Sequence, residues 1–319
     1  MKKLIIFVCL TVVVNCMVAQ TLAQKAQAML QQAQSDSIAV KGENDVLYSK
    51  NELNHLAKGE LTNGRIVKVS ACKRANNANP LPALKNFHDG LKALGIELII
   101  VPVPPKLAAM PGANCQELEA MKYLRDYYQE LRKQGLNILD ISEKFPRPAA
   151  SLYCRTDAHW SPAGIDLTAD LLAQMIPLRG KTAFSMQKRT QKVIGDLARS
   201  CNSNAAEELT YNEVAGNALS EDSPVLLIGD SHCLIFSVGG DMLTKNAGLA
   251  EKLAVKLQMP IDRIAVRGSA ATAVRVNCYR KAARNKAWLK NKKYVIYCFA
   301  AREFTESGTG WAKVPVMKK

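Results

Sequence analysis

Two short segments carry the residue types that acyl transfer needs. The apolar run Val225-Leu226-Leu227-Ile228 stops abruptly at Gly229-Asp230-Ser231-His232, and upstream lies Thr156-Asp157-Ala158-His159-Trp160-Ser161-Pro162. Together they supply a hydroxyl, an imidazole and a carboxylate. A serine hydroxyl is a weak nucleophile at its own pKa, so it needs a base within hydrogen-bond reach and an acid that orients the base. The histidines are His55, His88, His159 and His232. His159 is the best base, because Asp157, two residues earlier, can bend its carboxylate back to the ring. His232 follows Ser231 directly, so its ring is expected to point away from the seryl oxygen and to line the pocket. His55 and His88 stand in polar, helical-looking surroundings and are expected at the surface. Gly-Asp-Ser alone is a common turn, and Asp-x-His alone is equally a capping loop or half of a metal site. Their joint presence in one chain favours the chemical reading.

The elements that must position these residues alternate along the chain. Apolar, strand-like runs cover 96–103, 136–141, 225–228, 261–266 and 294–299. Helical patterns fall at 81–94, 117–134, 162–175, 249–257 and 270–289. Strands separated by helix-length segments predict an α/β fold, a mostly parallel sheet covered on both faces. In such sheets sites gather beyond the carboxyl ends of the strands, where Gly229-Asp230-Ser231 sits. Ser161-Pro162 reads as a helix start, with Ser161 as N-cap and Pro162 in the first helical position. Asp157 and His159 then lie on a loop held by a rigid helix.

The amino terminus reads as a secretory signal over residues 1–23: Lys2 and Lys3, an apolar stretch from Leu4 to Val14, then small residues at Ala19 and Ala23. An uncleaved anchor is the alternative, although the apolar stretch is short for a membrane span. Cys16 follows Asn15, a poor residue to precede a lipidated cysteine. Residues 24–40, rich in Gln and Ala, are expected as a polar helix or tether, and 41–319 as one globular domain. The location implied is periplasmic or extracytoplasmic. Outside the signal the cysteines are Cys72, Cys115, Cys154, Cys201, Cys233, Cys278 and Cys298. In an exported protein some are expected to pair in disulfides, and the odd count leaves at least one free. Cys233 is expected as a packing or disulfide residue rather than a second nucleophile. No Cys-x-x-Cys or His-Glu-x-x-His occurs, so no metal site is expected. The formal net charge of +15 favours an anionic surface or polymer as partner. The late basic run from Lys281 to Lys293 reads equally well as a solvated helix face. No nucleic-acid motif accompanies the charge, and the export signal argues against nucleic acid as a partner.

The ordered set of motifs resembles the periplasmic polysaccharide O-acetyltransferases of the AlgJ and AlgX type, in the SGNH hydrolase superfamily. The resemblance runs from Val40-Lys41-Gly42 to about Phe304. It takes in Val46-Leu47-Tyr48, Glu52-Leu53, Ile99 to Lys106, Thr156 to Trp160, Gly229-Asp230-Ser231, Val266-Arg267-Gly268 and Ala300-Ala301-Arg302-Glu303-Phe304. Ordinary SGNH hydrolases place the serine block first; here the Asp-x-His block comes first, as in these acetyltransferases. The resemblance implies an SGNH-like three-layer sandwich with Ser231 as nucleophile, His159 as base and Asp157 as orienting acid. It implies the Ser231 and Gly268 amides as oxyanion donors, an effect worth ~3 kcal/mol per donor. Arg302 matches a basic residue after the last strand that binds acceptor carboxylates or steadies the site; an ordinary ion pair with Glu303 is the alternative. Arg275 is a weaker candidate of the same kind. No cofactor is implied. The partners implied are a polysaccharide acceptor such as alginate and a multi-spanning membrane acyltransferase that passes acetyl groups outward.

The chain also departs from the pattern. The SGNH asparagine block is not recognisable, which puts a further oxyanion donor in doubt. His232 stands where the family often has an aromatic residue. The chain ends soon after its last motif, without room for the carbohydrate-binding module of AlgX, so the AlgJ-like arrangement is the better match. Two other readings of the same residues remain: a carbohydrate esterase that gives the acetyl group to water, and a non-catalytic polysaccharide-binding assembly protein.

Overall fold

The computed structural model describes residues 21–110, 122–146 and 152–318. The predicted signal therefore lies almost wholly outside the described residues. Among the described residues no helix is long and apolar enough to cross a membrane.

The centre is a four-stranded, all-parallel sheet. Strands β3 (Glu97–Val103), β6 (Val225–Gly229), β9 (Asp262–Ala265) and β10 (Tyr294–Ala300) lie in the order β3-β10-β6-β9. β6 and β10 are unbroken apolar runs covered on both faces, β3 is apolar after Glu97, and the edge strand β9 carries Asp262 and Arg263. The side chains alternate between two cores. Leu98, Ile100, Leu226, Ile228, Val295 and Tyr297 join the core that holds helices Pro80–Lys92 and Ala273–Arg284. Ile99, Val101, Leu227, Ile296 and Cys298 face the opposite core, with helices Pro162–Met175 and Leu249–Leu257. These are the three layers of the expected SGNH-like α/β sandwich.

Four of the five expected strands and the main helices are present. The exception is 136–141, which adds only one parallel bridge, Ile138 to Ile100. Asp140 ends the extension there: its carboxylate accepts the Ser142 N–H and caps a 3-10 turn at Ile141–Lys144. The helix expected over 270–289 breaks in two at Asn285, whose side chain caps a second short helix, Lys286–Lys290.

Hairpins were invisible to the periodicity. β1 (Ala39–Lys41) pairs with β2 (Leu47–Ser49), β4 (Ser185–Val193) with β5 (Glu207–Ala215), and β7 (Val238–Gly239) with β8 (Met242–Lys245), all antiparallel. β4 reads as polar because eight of its nine residues are exposed, which removes the alternation that marks a half-buried strand.

Of the two forms expected for residues 24–40, a polar helix or a tether, the helix is present, and it is packed rather than free. Helix Leu22–Gln32 opens with a capping box between Thr21 and Gln24, and its Leu22 and Ala26 are buried in the core that holds Leu53 and Leu56. Packing thus already includes Leu22, ahead of the expected boundary at 41.

The cysteines depart from expectation too. Cys72, Cys154, Cys201, Cys233, Cys278 and Cys298 are all free thiols; Cys115 lies outside the described residues. Five of the six are buried as small apolar side chains, and Cys233 and Cys298 lie side by side without a bond between them. Cys233 is such a packing residue, fully buried with its Sγ 3.7 Å from the Cys298 carbonyl oxygen.

Candidate active site

Ser231 is delivered by β6. Gly229 ends this inner strand pressed against β10, where a methyl group would overlap the Cys298 carbonyl oxygen, so glycine alone fits. Asp230 then turns the chain. Its Oδ1 accepts the His232 N–H at 2.9 Å, and its Oδ2 accepts the Ala300 N–H at 2.6 Å, tying the turn to the end of β10. Ser231 opens a 3-10 turn in which Leu234 and Ile235 donate their amides to the Ser231 carbonyl.

The Asp157–His159 loop comes from the other side. Ser161 caps helix Pro162–Met175 as the sequence indicated, accepting the Gly164 N–H. Just before it, Asp157 Oδ1 accepts both the His159 N–H at 3.0 Å and the ring Nδ1–H at 2.6 Å. The opposite ring nitrogen, Nε2, lies 2.7 Å from Ser231 Oγ. The chain of contacts is continuous: carboxylate, imidazole, hydroxyl. All three residues are buried, with Ser231 8% and His159 6% exposed, so the bonds form in a low-dielectric setting.

The electrostatics follow from this geometry. Burial alone would push the Asp157 carboxyl up. The hydrogen bond and charge of His159, with the Asp196 and His159 amides, reverse that and hold it below the usual carboxylate range. Burial alone would likewise lower His159, but the Asp157 bond and charge, with Asp196 and Asp230 behind it, raise it above its ordinary value.

A cavity of ≈ 540 Å³ opens on Ser231 and His159, with His232, Gly268, Arg302 and Glu52 in its wall. His232 lines the pocket as anticipated. Its Nδ1 is held 3.0 Å from Asp230 Oδ1, and its ring meets those of His159 and Trp160 edge-on. Burial lowers its pKa against the pull of Asp230. Asp230 is itself held down to about 2: burial works against ionisation, but the His232 charge and bond and the Arg302 charge prevail. Gly268 adopts φ +82°, a left-handed turn open to glycine. Arg302 follows β10, with its side chain 20% exposed and its Nη1 3.8 Å from Glu303, too far for a hydrogen bond.

Arg275 is the correction among the site candidates. It is fully buried on the inner face of helix Ala273–Arg284, donates to the Ala271 carbonyl at 2.9 Å and stacks over Phe87 and Trp311. It is a core residue and does not line the cavity. His55 corrects a second expectation. It is wholly buried, its Nδ1 2.7 Å from Thr305 Oγ1, because helix Lys50–Ala57 turns Glu52, Leu53, His55 and Leu56 inward together. His88 is half-buried beside Asp89 at 3.0 Å.

Asp196 and Glu52 were not singled out as site residues from the sequence. Asp196 opens helix Asp196–Ser200 and donates its N–H to Asp157 Oδ2 at 2.8 Å. A signal was available: Val193-Ile194-Gly195-Asp196 repeats the apolar-Gly-Asp punctuation of Leu227-Ile228-Gly229-Asp230. Asp157, His159 and Asp196 bring ligand-type atoms within 4.8 Å of one another. Asp157 and His159 spend those atoms on each other and on Ser231, which matches proton transfer better than metal binding.

The described site and sandwich agree with what comparison finds. The family model described as "SGNH hydrolase-like domain, acetyltransferase AlgX" matches residues 39–297, and the chain belongs to this family. It is similar to a probable alginate O-acetylase AlgJ from Pseudomonas syringae pv. tomato, 25% identical over 151 residues. That match takes in 44% of this chain and 35% of the relative, so it spans about a third of the relative's length. Among solved structures, the O-acetyltransferase domain of Pseudomonas putida AlgJ superposes with a TM-score of 0.62 at 20% identity, over 84% of this chain and 92% of that one. Pseudomonas aeruginosa AlgX gives 0.58 at 19% identity, over 86% and 65%. At these identities the two structures bear on the fold.

Proposed function

We propose that this protein is an exported O-acetyltransferase that moves an acetyl group onto hydroxyls of a bacterial polysaccharide, of the alginate type, through an acetyl-serine intermediate. The observation that carries the reading is the unbroken series from Asp157 through His159 to Ser231, at 2.6 and 2.7 Å, opening into one cavity.

Ser231 Oγ attacks the carbonyl carbon of an acetyl donor while its proton passes to His159 Nε2. The Ser231 and Gly268 amides take the oxyanion. The tetrahedral adduct collapses, the proton moves from Nε2 to the departing group, and the acetyl ester of Ser231 remains. A sugar hydroxyl then gives its proton to Nε2 and attacks the ester carbonyl; Ser231 Oγ leaves and recovers that proton. Asp157 holds the ring tautomer and stabilises the imidazolium in both halves. Arg302, in the cavity wall, suits an acceptor carboxylate. Residues 1–23 serve as the export signal, and a membrane-bound acyltransferase supplies the acetyl groups.

The test is incubation of the purified chain with an activated acetyl ester, with and without polysaccharide oligomers, beside Ser231→Ala. Intact mass reads the acetyl-enzyme and product analysis reads the oligomers. Acetyl groups arriving on oligomers only with Ser231 present support the transferase. Acetate release alone, equally dependent on Ser231, identifies the esterase. Identical behaviour of the two proteins overturns the acyl-transfer reading.

A further inference from the structure

We infer that Asp196 is a positioning residue for the Asp157–His159 pair: its backbone and carboxylate clamp the loop that carries the base and set a second anion beside the imidazole. This rests on His159 acting as the base for Ser231.

One residue makes three ties to that loop and its own helix. The Asp196 N–H donates to Asp157 Oδ2 at 2.8 Å, the oxygen not used by His159. Asp196 Oδ1 accepts the N–H of Ala158, the residue between acid and base, at 2.7 Å, and also that of Leu197 at 2.7 Å. The adjoining backbone closes the seam. Gly195 donates to Thr156 Oγ1 at 3.1 Å, Ala198 donates to the Thr156 carbonyl at 3.1 Å, and a methyl on Gly195 would overlap Thr156. The loop is thus held by one side chain and a matched run of backbone, beginning where β4 ends.

The second carboxylate oxygen is not spent on the clamp. Asp196 Oδ2 stands 3.9 Å from His159 Nδ1, beyond hydrogen-bond reach and within charge range, and the residue lines the cavity. When His159 takes a proton it acquires two anionic neighbours on that side, one bonded and one not. The titratable groups facing His159 are Asp157 and Asp196 from the clamped loop and helix, Asp230 and His232 from the β6 turn, and Glu52 from helix Lys50–Ala57. The cations are Arg302, set against Glu303, Glu52, Asp230 and Asp196, and Lys106, set against Glu52 and Asp157. Burial and the Asp157 charge raise the Asp196 carboxyl above the usual range, and the His159 charge and the Ala158 and Leu197 amides work against that rise.

Asp196→Asn keeps an oxygen for the Ala158 amide and removes the charge; Asp196→Ala removes both. The experiment is single-turnover acetylation of the full chain by 4-nitrophenyl acetate across a pH series, with thermal melting alongside. For Asp196→Asn the rising limb of the profile moves to lower pH and the plateau rate falls ~3- to 10-fold, as a weaker base should. For Asp196→Ala the plateau falls about 100-fold, the scale of a misplaced base, with the same displacement of the limb. Should Asp196→Ala fail to fold, the near-isosteric Asn variant carries the test. An unmoved limb and an unchanged plateau in Asp196→Asn overturn the proposal, whatever the melting shows. Should Ser231→Ala be acetylated like the unaltered chain, the base role of His159 falls instead, and this assignment falls with it.

Discussion

His159 Nε2 and Ser231 Oγ lie 2.7 Å apart although 72 residues separate them in the chain. The contact joins two local devices, each complete within its own segment. The Asp157 carboxylate folds back on His159 over two residues, and Gly229-Asp230 turns Ser231 out of β6 over two. The sheet and the helix Pro162–Met175 bring the devices together.

Because Asp157 holds the ring with Nδ1 protonated, Asp157→Asn leaves the shape intact and inverts the tautomer. Single-turnover acetylation is expected to fall by roughly 10³- to 10⁴-fold, and the melting temperature to drop as well, since both Asp157 oxygens accept N–H groups and the amide NH2 must face one of those donors. Stopped-flow measurement beside a melting curve reads both.

Activity should be lost on the acid side. His159 accepts the seryl proton only when neutral, and its neighbours raise it above the ordinary value of 6.5. The rate of acetyl-enzyme formation is therefore expected to climb with pH through a limb above that value. A profile already flat at pH 6 would show that a different group serves as base.

The two arginines should separate cleanly. Arg275→Ala empties a buried site stacked between Phe87 and Trp311, costing about 2–4 kcal/mol of stability with transfer kinetics unchanged. Arg302→Gln should instead lower kcat/KM for an anionic acceptor about 10-fold or more, with a much smaller effect on acetylation of Ser231. Urea unfolding and acceptor titrations of both variants distinguish the roles.

His55 predicts an acid weakness unrelated to the site. Burial first, then the charges of Lys58 and Arg302, lowers its pKa from 6.5 to about 3. Above 6.5 the histidine is neutral folded or unfolded and contributes no pH dependence. Below it the unfolded chain binds a proton that the folded chain refuses, so stability falls by up to about 1.4 kcal/mol per pH unit towards pH 3. His55→Gln should flatten that slope between pH 6 and 4 in urea titrations, at some cost in stability near neutrality.

Much of this was written locally. Helices Pro162–Met175 and Leu249–Leu257 have the expected bounds, because caps and apolar periodicity are encoded within a dozen residues. The inner strands β6 and β10 are apolar runs that a doubly covered sheet requires. Asp157, His159 and Ser231 could be nominated from residue type alone, since only certain side chains can move a proton or attack a carbonyl.

Local residue patterns thus specify the list of elements, the two turns and the chemistry on offer. Tertiary structure decided which residues share a space. Arg275 and Arg302 look alike as basic residues near late motifs, yet one faces the core and the other the cavity, because the side of a helix that becomes interior depends on what packs against it. His55 and the cysteines were misplaced for the same reason. Asp196 joins Asp157 and His159 only because β4 and β5 form an exposed hairpin whose end meets the Thr156 loop. That meeting is made by backbone hydrogen bonds and close approach between distant segments, which side-chain periodicity does not record.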